Sequence, residues 1–208
     1  MEVKGELSTQ VDSLPLPTGA STSANQGLIN KIDYIVGNSG IDASTETLQT
    51  IDYAHHEIHS GSSFTASYQI EAANAANMDI LMVTPDTTKE IHFIYEIDVE
   101  GEAQLYIYET PTATAAANPI VAYNRNRIGT PDDATFVLTH TPTIITTGST
   151  IIRSHHMGAG KSLGGGSRSL HEFVLKRNTK YLFRITNLTV SANWFNTTLN
   201  WYEHTKKN

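Results

Sequence analysis

The chain has 208 residues, of which 39% are hydrophobic and 17% charged, and its formal net charge is −7. This length suits one domain, or one domain with an appendage, and the acidic balance excludes a chain-wide basic footprint for nucleic acid or a polybasic membrane signal. The absence of cysteine excludes disulfides, thiolate catalysis and cysteine-based zinc sites.

The first 20 residues are predicted to form an extended arm. The run Leu14-Pro15-Leu16-Pro17 places prolines at alternate positions, and each proline restricts its own φ and disfavours helix at the residue before it. Few groups in this segment could be buried in a core, so we expect the arm to be mobile or held by a neighbour. The segment also lacks the apolar core of a signal peptide, which predicts synthesis in the cytoplasm.

Residues 21–36 carry the strongest helix pattern. Leu28, Ile32 and Ile35 recur at helical spacing, and Ile29 lies beside them. A helix of about 13–15 residues is near the lower limit for stability in water by itself, so its apolar stripe must dock. The stripe could dock on its own head domain, on symmetry copies or on another protein. The flanking arm and linker favour an intermolecular contact.

The N-terminal arm region, 1–50, ends in a polar linker, residues 37–50. The linker leads to a head domain, 51–208. In the head the apolar period changes to two, which is typical of strands with one buried face. The predicted strands lie near 64–70, 78–84, 91–99, 103–109, 134–140, 143–152, 170–176, 181–185 and 197–201. No helix pattern separates these strands. The prediction is an all-β fold, an antiparallel β-sandwich with jelly-roll topology as the first choice.

Two shorter signals lie within the head. Residues 99–102 predict a hairpin turn, in which Gly101 is free to adopt a positive φ. Asn187 and Asn196 each begin an Asn-x-Thr sequon. Because no secretory signal accompanies them, we interpret both as ordinary strand-edge residues.

The segment His55-His56-Glu57-Ile58-His59 is the first candidate for metal chemistry. In a helix, His55 and His59 would share one face at i, i+4 and could bind a metal; in a strand, His55, Glu57 and His59 would share a face instead. The histidine spacing does not match the HExxH zincin pattern. We favour a solvated or interface strand, and titration of these histidines near pH ~6 could also affect assembly.

A glycine-rich stretch from Gly158 to Gly166 includes Gly-Lys-Ser and resembles the end of a phosphate-binding loop. It lacks the earlier glycine and is followed by a poor helix start, so nucleotide binding is not favoured. The stretch is better interpreted as a long loop ordered by a neighbour. Arg153, Lys161 and Arg168 make it cationic and suited to an acidic partner surface.

No catalytic arrangement is evident in the sequence. It contains no Gly-x-Ser-x-Gly elbow and no carboxylate pair in a recognisable context, so we predict no enzyme activity, no cofactor and no metal ligand set. Trp194, Phe195, Trp201 and Tyr202 could form a sugar-stacking platform, but at strand spacing they are better interpreted as core and cross-strand pairs.

A family resemblance extends over roughly residues 12–205. At the N-terminus it is carried by Leu14-Pro15-Leu16-Pro17-Thr18-Gly19-Ala20-Ser21-Thr22-Ser23-Ala24-Asn25-Gln26. In the C-terminal half it is carried by residues 123–127, the glycine-rich loop to Arg168, and residues 172–176, 178–187 and 201–205. Together these segments resemble those of tailed-bacteriophage virion proteins. Gly27-Leu28-Ile29 departs from the polar continuation usual in that group, which makes the helix more apolar.

The resemblance implies a head decoration, cement or short head-fibre protein on the outer capsid surface. Such proteins bind the capsid shell as homodimers or homotrimers, so the expected partner is the major capsid protein or another virion protein. The residues predicted to bind partners are Leu14, Leu16, Leu28, Ile29, Ile32, Ile35, Arg153, Lys161 and Arg168. A receptor- or glycan-binding module of a tail fibre remains an alternative, and a lytic or depolymerising enzyme is a more distant one.

Overall fold

The computed structural model describes residues 53–128, 132–158 and 172–205, with the side chains of residues 53 and 54 left aside. These residues belong to one compact unit, Asp52–Asn208. The predicted arm, helix and linker lie outside the described residues. They therefore stay predictions.

Within the described residues there are one helix and twelve strands. The helix is α1, Tyr53–His59. The strands are β1 Ser63–Ala72, β2 Asn77–Val83, β3 Lys89–Val99, β4 Ala103–Glu109, β5 Thr112–Thr114, β6 Tyr123–Asn124, β7 Val137–His140, β8 Thr143–Thr146, β9 Thr150–Met157, β10 Phe173–Leu175, β11 Lys180–Asn187 and β12 Asn193–Thr205.

The strands form two five-stranded sheets and one small ribbon. Sheet I has the order β10-β3-β12-β1-β6, sheet II has the order β7-β2-β11-β4-β9, and β5 pairs with β8. Every pairing between these strands is antiparallel. The predicted all-β sandwich is confirmed.

The strand order is that of a jelly roll. Early strands pair with late ones in nested fashion: β1 with β12, β2 with β11, β3 with β10 and β4 with β9. Sheets I and II each contain two of these pairs, joined through β12–β3 and β11–β4. A long antiparallel ribbon rolled up in this way gives the two Greek keys of a jelly roll.

The core lies between sheets I and II, and the period-two pattern of the sequence explains which residues enter it. Alternate residues of a strand point to one face, and on β3 the inward series Ile91, Phe93, Tyr95 and Ile97 is buried. Sheet II contributes inward residues from β2, β4 and β11 to the same cluster. They are Met78, Ile80, Met82, Ala103, Leu105, Ile107, Tyr181, Phe183 and Ile185.

The predicted hairpin at residues 99–102 is wrong, although a turn is present. It joins β3 of sheet I to β4 of sheet II, so the flanking strands do not pair. Gly101 is not among the glycines with positive φ. A Cβ there would lie 2.7 Å from the Asn193 side-chain nitrogen, so any larger residue would displace the Asn193 side chain.

The predicted strand at the histidine cluster is also wrong, because the segment forms α1. Glu57 is 3% exposed and accepts a short hydrogen bond from the Ser62 hydroxyl. The backbone carbonyl of Glu57 accepts from the Ser60 and Ser62 hydroxyls at 3.0 and 3.1 Å. These bonds fix the turn through Gly61, whose φ is +77°, and lead the chain directly into β1.

Glu203 on β12 is a buried carboxylate, 2% exposed, and is surrounded by donors. Its oxygens accept from the Trp201 indole at 3.0 Å and from the backbone amides of Thr135 and Phe136 at 3.0 and 3.1 Å. The Thr135 hydroxyl donates to it as well. Glu203 therefore fastens the segment before β7 to sheet I.

Asn187, at the end of β11, is 1% exposed and has its amide fully engaged. The amide nitrogen donates to the carbonyls of Ala72, Ala73 and Ser191 at 2.8–3.0 Å. The amide oxygen accepts from the backbone and hydroxyl of Thr189, both at 2.9 Å. The side chain ties the β1–β2 turn to the β11–β12 turn, and its nitrogen is not accessible for glycosylation in the folded protein.

Candidate functional site

Most of the residues predicted to bind partners lie outside the described residues. These are Leu14, Leu16, Leu28, Ile29, Ile32, Ile35, Lys161 and Arg168. Of the glycine-rich loop only Gly158 is described, directly after β9. Arg153 is therefore the one predicted site residue that the structure places.

Arg153 lies on β9, an edge strand of sheet II, opposite the wholly buried Ile107 of β4. Residues opposite one another on neighbouring strands share a face, so the Arg153 side chain points towards the interior of the sandwich. Burial raises the pKa of Tyr95, and the Arg153 guanidinium opposes this rise through its charge and a hydrogen bond. Its role towards a partner stays a prediction.

The C-terminal aromatic residues do not form one exposed platform. Phe195 and Trp201 are wholly or almost wholly buried, and Tyr202 is 6% exposed. Trp201 stacks on Phe64 with ring centroids 5.7 Å apart, as expected for a core pair. Trp194 alone of the four presents a large exposed surface, at 40%.

One side of the sandwich presents exposed apolar side chains. At this side, which we call the β6–β7 side, residues 118–120 pair with β7 and the chain then passes to β6 on sheet I. Val121, Tyr123 and Val137 are 58%, 56% and 52% exposed there. A groove of about 310 Å³ opens beside Val121 and Tyr123, and the Tyr68 ring stacks on His140 in its wall, with centroids 4.5 Å apart.

α1 brings His55 and His59 together on one face, as the helical alternative for this segment required. Their Nε2 atoms are 2.9 Å apart, and both side chains are exposed. His56 and Glu57 lie elsewhere on the helix, with His56 Nδ1 3.5 Å from the Glu57 carboxylate. The pair offers a metal two imidazole nitrogens.

A second polar cluster, which no sequence motif marks, lies on the outer face of sheet I. Glu90 and His92 on β3 lie opposite His204 and Tyr202 on β12. The ligand atoms of Glu90, His92 and His204 all lie within 4.8 Å of one another. Glu172, just before β10, accepts from His92 Nδ1 at 2.8 Å. The one signal in the sequence was the alternation of polar residues with the buried series on β3.

A third polar cluster surrounds Tyr181, which is 1% exposed. Its hydroxyl donates to Glu109 at 3.3 Å and accepts from the Lys176 backbone amide at 2.9 Å. Lys176 Nζ donates to the same carboxylate at 2.6 Å. Burial raises the pKa of Tyr181 to about 12, and the nearby Glu109 charge adds to the rise.

The raised pKa of Tyr181 predicts a loss of stability at alkaline pH. Between the ordinary tyrosine pKa of 10.0 and the raised pKa of about 12, an unfolded tyrosine loses its proton while folded Tyr181 keeps it. The free energy of unfolding should therefore fall with rising pH in this window, by up to about 2–3 kcal/mol from this group. Urea unfolding at a series of pH values measures the slope.

The Tyr181→Phe variant should flatten that slope only in part, because burial also raises the pKa values of Tyr95 and Tyr108. The half-buried Tyr106 supplies a matched control, Tyr106→Phe. A slope that Tyr181→Phe leaves unchanged would contradict the assignment.

The described residues define the class of protein as an antiparallel jelly-roll β-sandwich. Comparison of the chain with protein-family models found no match, and comparison with curated proteins found none. The one helix of the described ranges, α1, is too short to cross a membrane.

Proposed function

We propose that the chain is a non-catalytic structural protein of a tailed-phage virion, which decorates and stabilises the outer capsid surface as a homo-oligomer. The arm tethers each copy to the shell, where the partner is the major capsid protein or another virion protein. The β-head mediates contacts between subunits. The resemblance over residues 12–205 supports this proposal.

The structural observation that carries the proposal is a jelly-roll head with exposed apolar residues on the β6–β7 side. Jelly rolls are frequent among viral capsid and lectin domains, but a fold does not by itself decide a function. Large apolar side chains grouped at one place on a head are typical of an association surface. A second copy of the chain is the occupant that we propose for it.

Mechanically, the proposal needs a contact of about 1,600 Å² between two copies, which is usual for a stable interface. Repetition of the tether over a symmetric shell adds avidity, because each further contact forms within an already bound assembly. Neither step requires a reacting group.

Deletion of residues 1–36 tests the tether. The truncated protein should lose binding to capsids while keeping the β-sheet circular dichroism signal of the head, because the described strands of the jelly roll all lie between Ser63 and Thr205. Co-sedimentation with purified capsids measures binding, and imaging of intact virions locates the protein. Full binding by the truncated protein would refute the tether.

Analytical ultracentrifugation of the same preparations tests association of the heads. The intact chain should sediment as a dimer or trimer, and Val121→Asp combined with Val137→Asp should shift it towards monomer. Ile145→Asp is the matched control, because Ile145 is 72% exposed on β8, outside the β6–β7 side. A monomeric wild-type protein that also fails to bind capsids would overturn the proposal.

The second candidate, a receptor- or glycan-binding module, is less well supported. Of the four C-terminal aromatic residues, it would depend on Trp194 alone. Binding on a glycan array that is lost in Trp194→Ala would favour this function over capsid decoration.

A further inference from the structure

We propose that Glu90, His92 and His204, on the outer face of sheet I, bind a divalent transition-metal ion, and that Zn²⁺ suits them best. Each of the three side chains is half-buried, and each offers one ligand atom to a common centre. The inference depends on the geometry of the strand ladder and not on what the head binds.

The ladder between β3 and β12 brings the ligands together. Glu90 lies directly opposite His204, and His92 lies directly opposite Tyr202. Since residues two apart on a strand share a face, the side chains of all four residues project from the same side of sheet I. A ligand set held on paired strands is pre-positioned, which favours a precise metal site.

His92 is oriented by a carboxylate. Its Nδ1 lies 2.8 Å from Glu172 Oε1, and the same oxygen accepts a short hydrogen bond from the Tyr202 hydroxyl. The His92 ring stacks on Tyr202 with centroids 4.5 Å apart. The carboxylate assigns the proton to Nδ1 and leaves the lone pair on Nε2. Metal-binding histidines usually have their other nitrogen fixed in this way.

His204 has the same arrangement with a backbone partner. Its Nδ1 lies 3.0 Å from the Thr205 carbonyl oxygen. A carbonyl oxygen can only accept, so Nδ1 carries a proton, and in the neutral ring Nε2 then carries the lone pair.

The two Nε2 atoms face one another. His92 Nε2 and His204 Nε2 are 2.9 Å apart, which is a hydrogen-bond distance. When both rings are neutral with the proton on Nδ1, two acceptors at this distance repel unless a cation lies beside them. Two nitrogens bound tetrahedrally to one Zn²⁺ at about 2.0–2.1 Å lie about 3.3–3.4 Å apart, so shared coordination needs the rings to move apart by only about 0.4 Å.

The donor set selects the metal. Two imidazoles and one carboxylate form a set that Zn²⁺ accepts, whereas Mg²⁺ and Ca²⁺ prefer oxygen ligands throughout. Three protein ligands leave a fourth position for water or for a group from another molecule.

The His55–His59 pair on α1 supplies an internal control. Its two Nε2 atoms are also 2.9 Å apart, but no third ligand in the described residues completes the group. A contribution of these histidines to binding can therefore be separated from that of the cross-strand site.

The test is titration of the chelator-treated full-length chain with ZnCl₂ by isothermal calorimetry. We expect one Zn²⁺ per chain with micromolar or tighter affinity. His92→Ala and His204→Ala should each weaken binding by at least about 100-fold, and Glu172→Gln by about 10–100-fold, because it removes the orienting charge. The double variant His55→Ala/His59→Ala should bind as the wild type does.

A second measurement needs no variant and covers the case in which a substitution unfolds the head. Nitrogen NMR of the histidine rings in the wild-type chain should show the Nε2 signals of His92 and His204 shifting on addition of Zn²⁺. Absence of Zn²⁺ binding by the wild type would mean that the two rings share a proton, and would overturn the proposal. Binding that survives His92→Ala/His204→Ala but is lost in His55→Ala/His59→Ala would overturn it too.

Discussion

Replacing Glu203 with alanine should lower the free energy of unfolding by about 4 kcal/mol. The substitution leaves the Trp201 indole and the backbone amides of Thr135 and Phe136 without their acceptor. A buried donor without a partner costs about 1–3 kcal/mol. The costs of the three donors are not fully additive, because the segment before β7 can relax. Urea unfolding followed by tryptophan fluorescence measures the change.

Two further variants separate the causes. Glu203→Gln keeps an acceptor oxygen and loses the charge, so we expect a smaller loss of about 1–2 kcal/mol. Glu96→Ala removes an exposed carboxylate from β3 of the same sheet and should change stability by less than about 0.5 kcal/mol. Equal losses in Glu203→Ala and Glu96→Ala would show that the buried network does not stabilise the head.

The second large effect is expected for Asn187→Asp, at about 3–5 kcal/mol of lost stability. The change replaces the amide nitrogen, which donates to three backbone carbonyls, with an oxygen that can only accept when ionised. The new carboxylate would then face Ala72, Ala73 and Ser191 carbonyl oxygens in a site that is 1% exposed. Thermal and urea unfolding both report the loss.

Asn196→Asp is the matched control, since it is the same substitution at the other sequon. Asn196 is half-buried on β12 beside Asp98, so the added charge should cost no more than about 1 kcal/mol. Similar losses at the two positions would contradict the assigned role of the Asn187 amide.

The inward faces of the long strands were predictable because burial on one face leaves a period of two in the sequence. On β3, β11 and β12 alternate residues of the predicted strands are buried, as the period of two requires. The pairing of these strands into sheets was harder to predict from the sequence. The turn at 99–102 has the local chemistry of a hairpin, but only the non-local partners of β3 and β4 show that it crosses between sheets.

Short elements and the cross-strand site could not be predicted either. The short elements carry too little local pattern, and the site depends on non-local strand pairing. α1 has seven residues, about two turns, too few to show a repeating apolar stripe, and β6 has two residues. Glu90 and His92 are more than a hundred positions from His204 along the chain, and only the β3–β12 register makes them neighbours. The His55–His59 segment attracted attention first because its histidines are close in sequence.

The nested pairing of strands has a consequence for how the head is formed. β12 is the centre of sheet I, between β3 and β1, and Ser63 of β1 pairs with Tyr202, about 140 positions later. Sheet I therefore cannot close until β12 has emerged from the ribosome, and its earlier strands wait with unpaired edges. Such long-range pairing predicts slow folding, on a scale of about milliseconds to seconds, and a transient need for protection against aggregation.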